Sequence, residues 1–148
     1  MKELEPEAVE YIVIHCTAGR ADATLEDIRD YHVNVKGWSD VGYHFIVHAN
    51  GRVQAARPIQ YQGAHVNGLN SKSLGVAFVG LFDDAGPTDK AMAALINFVH
   101  TLRFTYSVPV DKVIGHREAY AILGQPQRKS CPGKAVDLDA LRAVLKAM

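Results

Sequence analysis

Cysteine is nearly absent from this chain: Cys16 and Cys131 are the only two among 148 residues. Two thiols do not make a disulfide framework, so stability has to come from a packed core. Net charge is absent as well, with 16 basic and 16 acidic residues. Such a balance exerts no long-range pull on nucleic acid or an anionic membrane, and nucleic acid is not an expected partner. No apolar run approaches the length of a membrane span, so membrane insertion is not expected. The opening Met1-Lys2-Glu3-Leu4-Glu5-Pro6-Glu7 is acidic and lacks the apolar stretch of a signal peptide. The expectation is synthesis in the cytoplasm, with both thiols reduced. Internal repeats, linkers and low-complexity tracts are missing too.

What is present is an ordinary globular composition, 48% hydrophobic and 22% charged, long enough for one domain with a real core. Residues 1–9 read as a loosely held polar lead-in. Tyr11–Cys16 is apolar and largely β-branched, the pattern of a strand covered on both faces. Thr24-Leu25-Glu26-Asp27 reads as a capping box, and Leu25, Ile28, Tyr31, His32 and Val35 continue at helical spacing to Gly37. His32 on that stripe reads as a packed helix histidine. Residues 43–48 and 53–56 flank Asn50-Gly51, a strong hairpin signal. Strict alternation puts Tyr43, Phe45 and Val47 on one face and His44, Ile46 and His48 on the other.

Residues 57–72 form a long polar connection of the kind that binds ligands. Ser73–Gly80 is another buried strand. Thr88 caps a long helix with Met92, Leu95, Val99, Leu102 and Tyr106 inward. Residues 108–114 form a short strand running into His116, and 117–134 are irregular, with at most a helical turn after Arg117. Asp137 caps a last helix with Leu138, Leu141, Leu145 and Met148 inward. The alternation implies a single α/β domain, a mixed sheet of about five strands with helices on both faces. No long exposed apolar stripe is evident, which suits a monomer.

Two apolar strands therefore end in histidine, His15 and His116, and Cys131 sits in the turn Lys129-Ser130-Cys131-Pro132-Gly133. Two imidazoles and a thiolate suit zinc, and three protein ligands leave a fourth position open for water. The spacing alone leaves other readings standing: capped core histidines, a Cys16–Cys131 disulfide, or two buried thiols. By the same token Lys129 reads as a solvated surface lysine and Tyr43 as a core aromatic sharing a face with Phe45 and Val47.

The ordered set of motifs resembles the zinc-dependent N-acetylmuramoyl-L-alanine amidases, a family that includes small phage amidases and animal peptidoglycan recognition proteins. The matching pieces are Val13-Ile14-His15-Cys16-Thr17, the stretch Gly37–Ile46, Asn50-Gly51, Gly63-Ala64-His65, Asn70 with Ser73-Leu74-Gly75-Val76, Gly115-His116-Arg117 and Lys129–Gly133. They run through about residues 10–145, so residues 1–148 are expected to form one catalytic domain. The resemblance implies one zinc ion per chain with His15, His116 and Cys131 as ligands. It implies Tyr43 and Lys129 as catalytic residues. It implies peptidoglycan as the substrate, cut at the amide between N-acetylmuramic acid and L-alanine, in the manner of a phage endolysin. His65 and Asn70, in the polar connection, are expected to line the substrate groove. Two alternatives belong to the same resemblance: a recognition protein that binds peptidoglycan without cutting it, and a cytosolic amidase recycling muropeptides. Non-cutting relatives typically lack the cysteine ligand and the recycling branch tends to use Asp there; this chain has Cys131. It departs from the family pattern at Lys134-Ala135-Val136, where relatives often place an aromatic residue near the rim of the site.

Overall fold

The apolar run Tyr11–Cys16 forms strand β1, and the computed structural model, which describes every residue from Met1 to Met148, sets it deep in a five-stranded sheet. The other strands are β2 (Phe45–Val47), β3 (Val53–Ala55), β4 (Ser73–Phe78) and β5 (Val113–Gly115), in the order β3-β2-β4-β1-β5. β1 lies parallel to both β4 and β5; β2 is parallel to β4 and antiparallel to β3 across the Asn50-Gly51 turn. Gly51 takes a φ of 89°, which a side chain would resist. Every residue of β4 is buried, and all of β1 beyond Tyr11, in keeping with their unbroken apolar sequence.

Helices cover both faces, as the sequence pattern implied. On one, α2 (Asp89–Tyr106) and α4 (Leu138–Ala147) press Leu95, Val99, Leu141 and Leu145 onto Ile12, Ile14, Leu74, Val76 and Phe78. On the other lie α1 (Leu25–Asp30), packed with Ile46 and Ala77, and α3 (His116–Ile122), packed with Val13 and Ile114. The alternation along β1 puts His15 on this second face.

Several local expectations change. Leu4 and Val9 are buried in the main core, and Leu4 N donates to Gln60 O at 2.8 Å, so the lead-in is packed down. The Thr24 capping box forms as expected, but after Asp30 the helix widens into a π-turn, Tyr31–Val35, closed by Lys36 N donating to Tyr31 O. The wider turn breaks the 3.6-residue register, so Tyr31 and Val35 face solvent while His32 stays buried. Tyr43 precedes the first paired residue of β2 and escapes the strand alternation. It packs with Ile46, Leu25 and Val41, on the face opposite Phe45 and Val47. The segment after Gly115 is helical for seven residues, beginning at His116 itself. Met148 is half exposed, since α4 ends before it.

One feature of the topology decides where chemistry can occur. β1 and β5 are adjacent and parallel, with Ile14 opposite Gly115. The next residues, His15 near the end of β1 and His116 just past β5, therefore stand side by side at the sheet's carboxyl edge.

Candidate metal centre

Each of the three donors is held by its own local structure. His15 is the penultimate residue of β1 and 1% exposed. His116 opens α3, whose first turn is fixed by Glu118: its carboxylate accepts from Gly115 N at 2.9 Å and forms a two-pronged pair with Arg142 at 2.7 and 2.8 Å. Cys131 lies in the irregular loop between α3 and α4. Arg117 clamps that loop, donating from Nη1 to Gly133 O (2.6 Å) and Ser130 O (3.3 Å) and from Nη2 to Val136 O (2.6 Å). Arg117 N donates to Cys131 O at 2.8 Å, and Ser130 Oγ donates to Asp83 at 2.7 Å.

These anchors bring the rings of His15 and His116 to 4.9 Å between centroids, and Nδ1 of His15 to 3.7 Å from Cys131 Sγ. One donor atom from each of the three residues lies within 4.8 Å of the others. Tetrahedral zinc, with Zn–N near 2.05 Å and Zn–S near 2.3 Å, sets its donors roughly 3.3–3.7 Å apart. The residues present fit that ion in donor chemistry and, after a small contraction, in spacing. Burial lowers the pKa of both histidines, His116 to about 4 with help from Lys129, so both offer neutral imidazoles at neutral pH. Cys131 receives a hydrogen bond from Cys16 N at 3.2 Å, yet the neighbouring Cys16 thiol and burial hold its own thiol protonated, and a metal would have to displace that proton. Both cysteines are free, so the disulfide reading lapses.

The donors sit on the wall of a cavity of about 230 Å³ shared with Tyr43, Lys129, His32 and Trp38. The Tyr43 ring is 5.2 Å from that of His15, and its hydroxyl donates to Cys16 O at 3.3 Å. Burial and the two nearby thiols push its pKa up, so the phenol keeps its proton and acts as a donor. Lys129 borders both this cavity and a longer groove of about 450 Å³ leading away past Trp38, Tyr120 and Arg128.

His65 and Asn70 line that groove, and both also make internal bonds. Asn70 Oδ1 accepts from His65 N (3.0 Å) and Val66 N (2.9 Å). His65, 8% exposed, sets Nδ1 2.8 Å from Nε2 of His15. The polar connection is further stapled by Arg57, whose guanidinium donates to the carbonyls of Val41, Gln62 and Asp40 at 2.7, 2.7 and 3.1 Å. Sequence reasoning assigned no role to Arg57, Arg117 or Ser73. The available signal was an arginine beside stretches with no regular structure to occupy their carbonyls.

The comparisons agree with this architecture. The profile of the N-acetylmuramoyl-L-alanine amidase family matches residues 5–134, and the chain belongs to that family. It is 38% identical over 126 residues to the endolysin of Enterobacteria phage K11, covering 80% of this chain and 77% of that one. Among solved structures, N-acetylmuramoyl-L-alanine amidase LysC from Clostridium intestinale URNW has a TM-score of 0.83 at 27% identity, over 95% of this chain and 87% of that one. Bumblebee PGRP-SA has a TM-score of 0.78 at 29% identity, over 92% and 81% of the two chains.

Proposed function

We propose that this chain is a peptidoglycan amidase that cuts the bond between the lactyl group of N-acetylmuramic acid and L-alanine, using one zinc ion held by His15, His116 and Cys131. The observation that carries the reading is the convergence of two neutral imidazoles and a thiol within 4.8 Å at one strand edge, in a chain of the amidase family. Zinc in such a site supplies Lewis acidity, polarising an amide carbonyl and bringing the pKa of water down toward about 7.

The chain's own residues do the rest. His15 and His116, kept neutral by burial, present lone pairs rather than protons. Lys129 brings a positive charge to the cavity wall, where the carbonyl oxygen becomes negative as the amide is attacked. Tyr43 retains its hydrogen and, on leaving the Cys16 carbonyl, orients the attacking water or relays its proton, passing its own hydrogen toward the departing amine as it takes one from the water. His65 and Asn70 line the groove, and in this reading they shape the wall along which the stem peptide lies.

Residues 1–148 act in this reading as one catalytic domain, a monomer without nucleic-acid partners, made in the cytoplasm and acting on the wall after release, as in phage lysis. The test is release of free amino groups from purified cell walls. A chelator should abolish it, added zinc should restore it, and Cys131→Ala should lack both zinc and activity. Full zinc occupancy in Cys131→Ala would remove that ligand from the set. Comparing intact walls with soluble muropeptides separates the two enzymatic readings: action on the soluble pieces alone would favour recycling. Tight wall binding without amine release would favour recognition.

A further inference from the structure

His65 does more than border the groove. Its Nδ1 lies 2.8 Å from Nε2 of His15, and its Nε2 lies 3.3 Å from Oγ of Ser73. Ser73 is fully buried, and Oγ lies 2.7 Å from the carbonyl oxygen of Leu69. Four groups thus form an unbroken line from the loop, through the first residue of β4 and the polar connection, to the end of β1.

We infer that Ser73 and His65 are positioning residues which decide which nitrogen of His15 keeps its hydrogen, and so which nitrogen faces the metal with a free electron pair. The inference rests on the zinc-site reading above and adds a direction to it. Leu69 O only accepts, so the Ser73 hydroxyl hydrogen is committed there. Oγ is then left as the acceptor for His65, which must carry its hydrogen on Nε2. Nδ1 of His65 is therefore bare and accepts from Nε2–H of His15. His15 is left with an open lone pair on Nδ1, the atom 3.7 Å from Cys131 Sγ. Each ring has one N–H only, because a second proton would put a charge in a site that is 1% and 8% exposed. Lys72 N also donates to the Leu69 carbonyl at 3.0 Å, but the opposite polarity would leave two acceptor oxygens, Ser73 Oγ and Leu69 O, 2.7 Å apart with no hydrogen between them.

The His65 ring lies close over two glycines, at positions where a side chain would displace it. A Cβ on Gly75 would lie 2.8 Å from its Cγ, and one on Gly63 would lie 2.5 Å from its Cδ2. A metal-bound histidine usually hands its second N–H to a carboxylate or a backbone carbonyl. Here a neutral imidazole backed by a hydroxyl takes that place. The Cys131 thiolate is then the only negative group among the ligands and their partners, and the centre keeps a net positive charge for polarising a carbonyl.

The test compares the parent with Ser73→Ala, His65→Leu and His65→Asn, whose Oδ1 can accept where Nδ1 did. Three quantities are read: zinc Kd by chelator competition, melting temperature of the metal-free protein, and the His15 tautomer from long-range 15N–1H NMR with and without zinc. Ser73→Ala and His65→Leu should weaken zinc binding about 10–100-fold. His65→Asn should recover most of the affinity. The parent should show His15 protonated on Nε2 and zinc on Nδ1. Unchanged Kd in folded Ser73→Ala and His65→Leu, or zinc on Nε2 of His15 in the parent, would overturn the inference. The NMR measurement needs no variant, so a poorly folding mutant does not block the test. A parent that binds no zinc at all would defeat the metal reading itself, whereas a parent that binds while the variants bind equally defeats only the relay.

Discussion

Tyr43 shows how much depends on a single side chain's direction. Placed with Phe45 and Val47 it would be a core ring; placed as found, across from them, it faces His15 and the cavity. Tyr43→Phe keeps the ring and its packing, so zinc content and melting temperature should hold while wall hydrolysis falls by roughly 10²–10⁴-fold for the lost proton donor. Lys129→Ala should also keep its zinc. Its kcat should drop about 10²–10³-fold with KM little changed, the pattern of a charge that matters only as the oxyanion develops. Near-normal hydrolysis by both folded, zinc-loaded variants would leave only the metal ligands as working parts. The proposed donors were legible because two apolar strands end in histidine and a cysteine sits in the Lys129–Gly133 turn, all in the order of the family's motifs; spacing alone did not separate them from capped core histidines. The face of Tyr43 was not, because alternation holds only inside the strand and β2 begins two residues later.

At the scale of elements, the loop bearing Cys131 depends on Arg117. That residue follows His116 but acts on backbone, joining the carbonyls of Ser130, Gly133 and Val136, the first two of which also accept from the turn amides of Gly133 and Val136. Arg117→Ala should cost about 3 kcal/mol in a urea titration, in the upper range for hydrogen bonds to a charged group. It should also weaken zinc binding, since Cys131 would lose its fixed loop. Arg117→Lys should rescue little, because an ammonium cannot span the forked set of carbonyls. Full recovery with lysine would mean that charge alone matters there. Strands and helices were readable from periodicity, the Thr24 box from its spacing, and the hairpin from Asn50-Gly51. The packed lead-in, the π-turn and α3 were not. Leu4 and Val9 are isolated apolar residues in a polar stretch, and their burial depends on the distant segment around Gln60. Helix α3 owes its start to a Glu118 carboxylate steadied by Arg142 of another helix.

For the whole molecule, acid should be the weak side. Burial lowers His44 from its ordinary 6.5 to about 4 in the folded chain. The unfolded chain therefore takes up a proton between those values and the folded chain does not. Stability from this group is complete above about 6.5 and shrinks as pH falls toward 4, by at most about 1.4 kcal/mol per pH unit. Calorimetry of the metal-free protein should show a lower melting temperature at pH 5 than at pH 7. An equal value would show that His44 is already protonated or that the fold tolerates its charge. The donors also have a consequence that reaches beyond catalysis. His15 comes from the first strand, His116 and Cys131 from the last third of the chain, and they meet only in the folded state. An ion shared between them is a reversible cross-link closing a loop of about a hundred residues, the kind of tie that most restricts an unfolded chain. Melting temperature should then track free zinc, with about 2.7 kcal/mol added at a concentration one hundred times Kd. By the same linkage, on the proposed zinc reading, scarcity of the ion would leave this chain not merely idle but easier to unfold and to degrade.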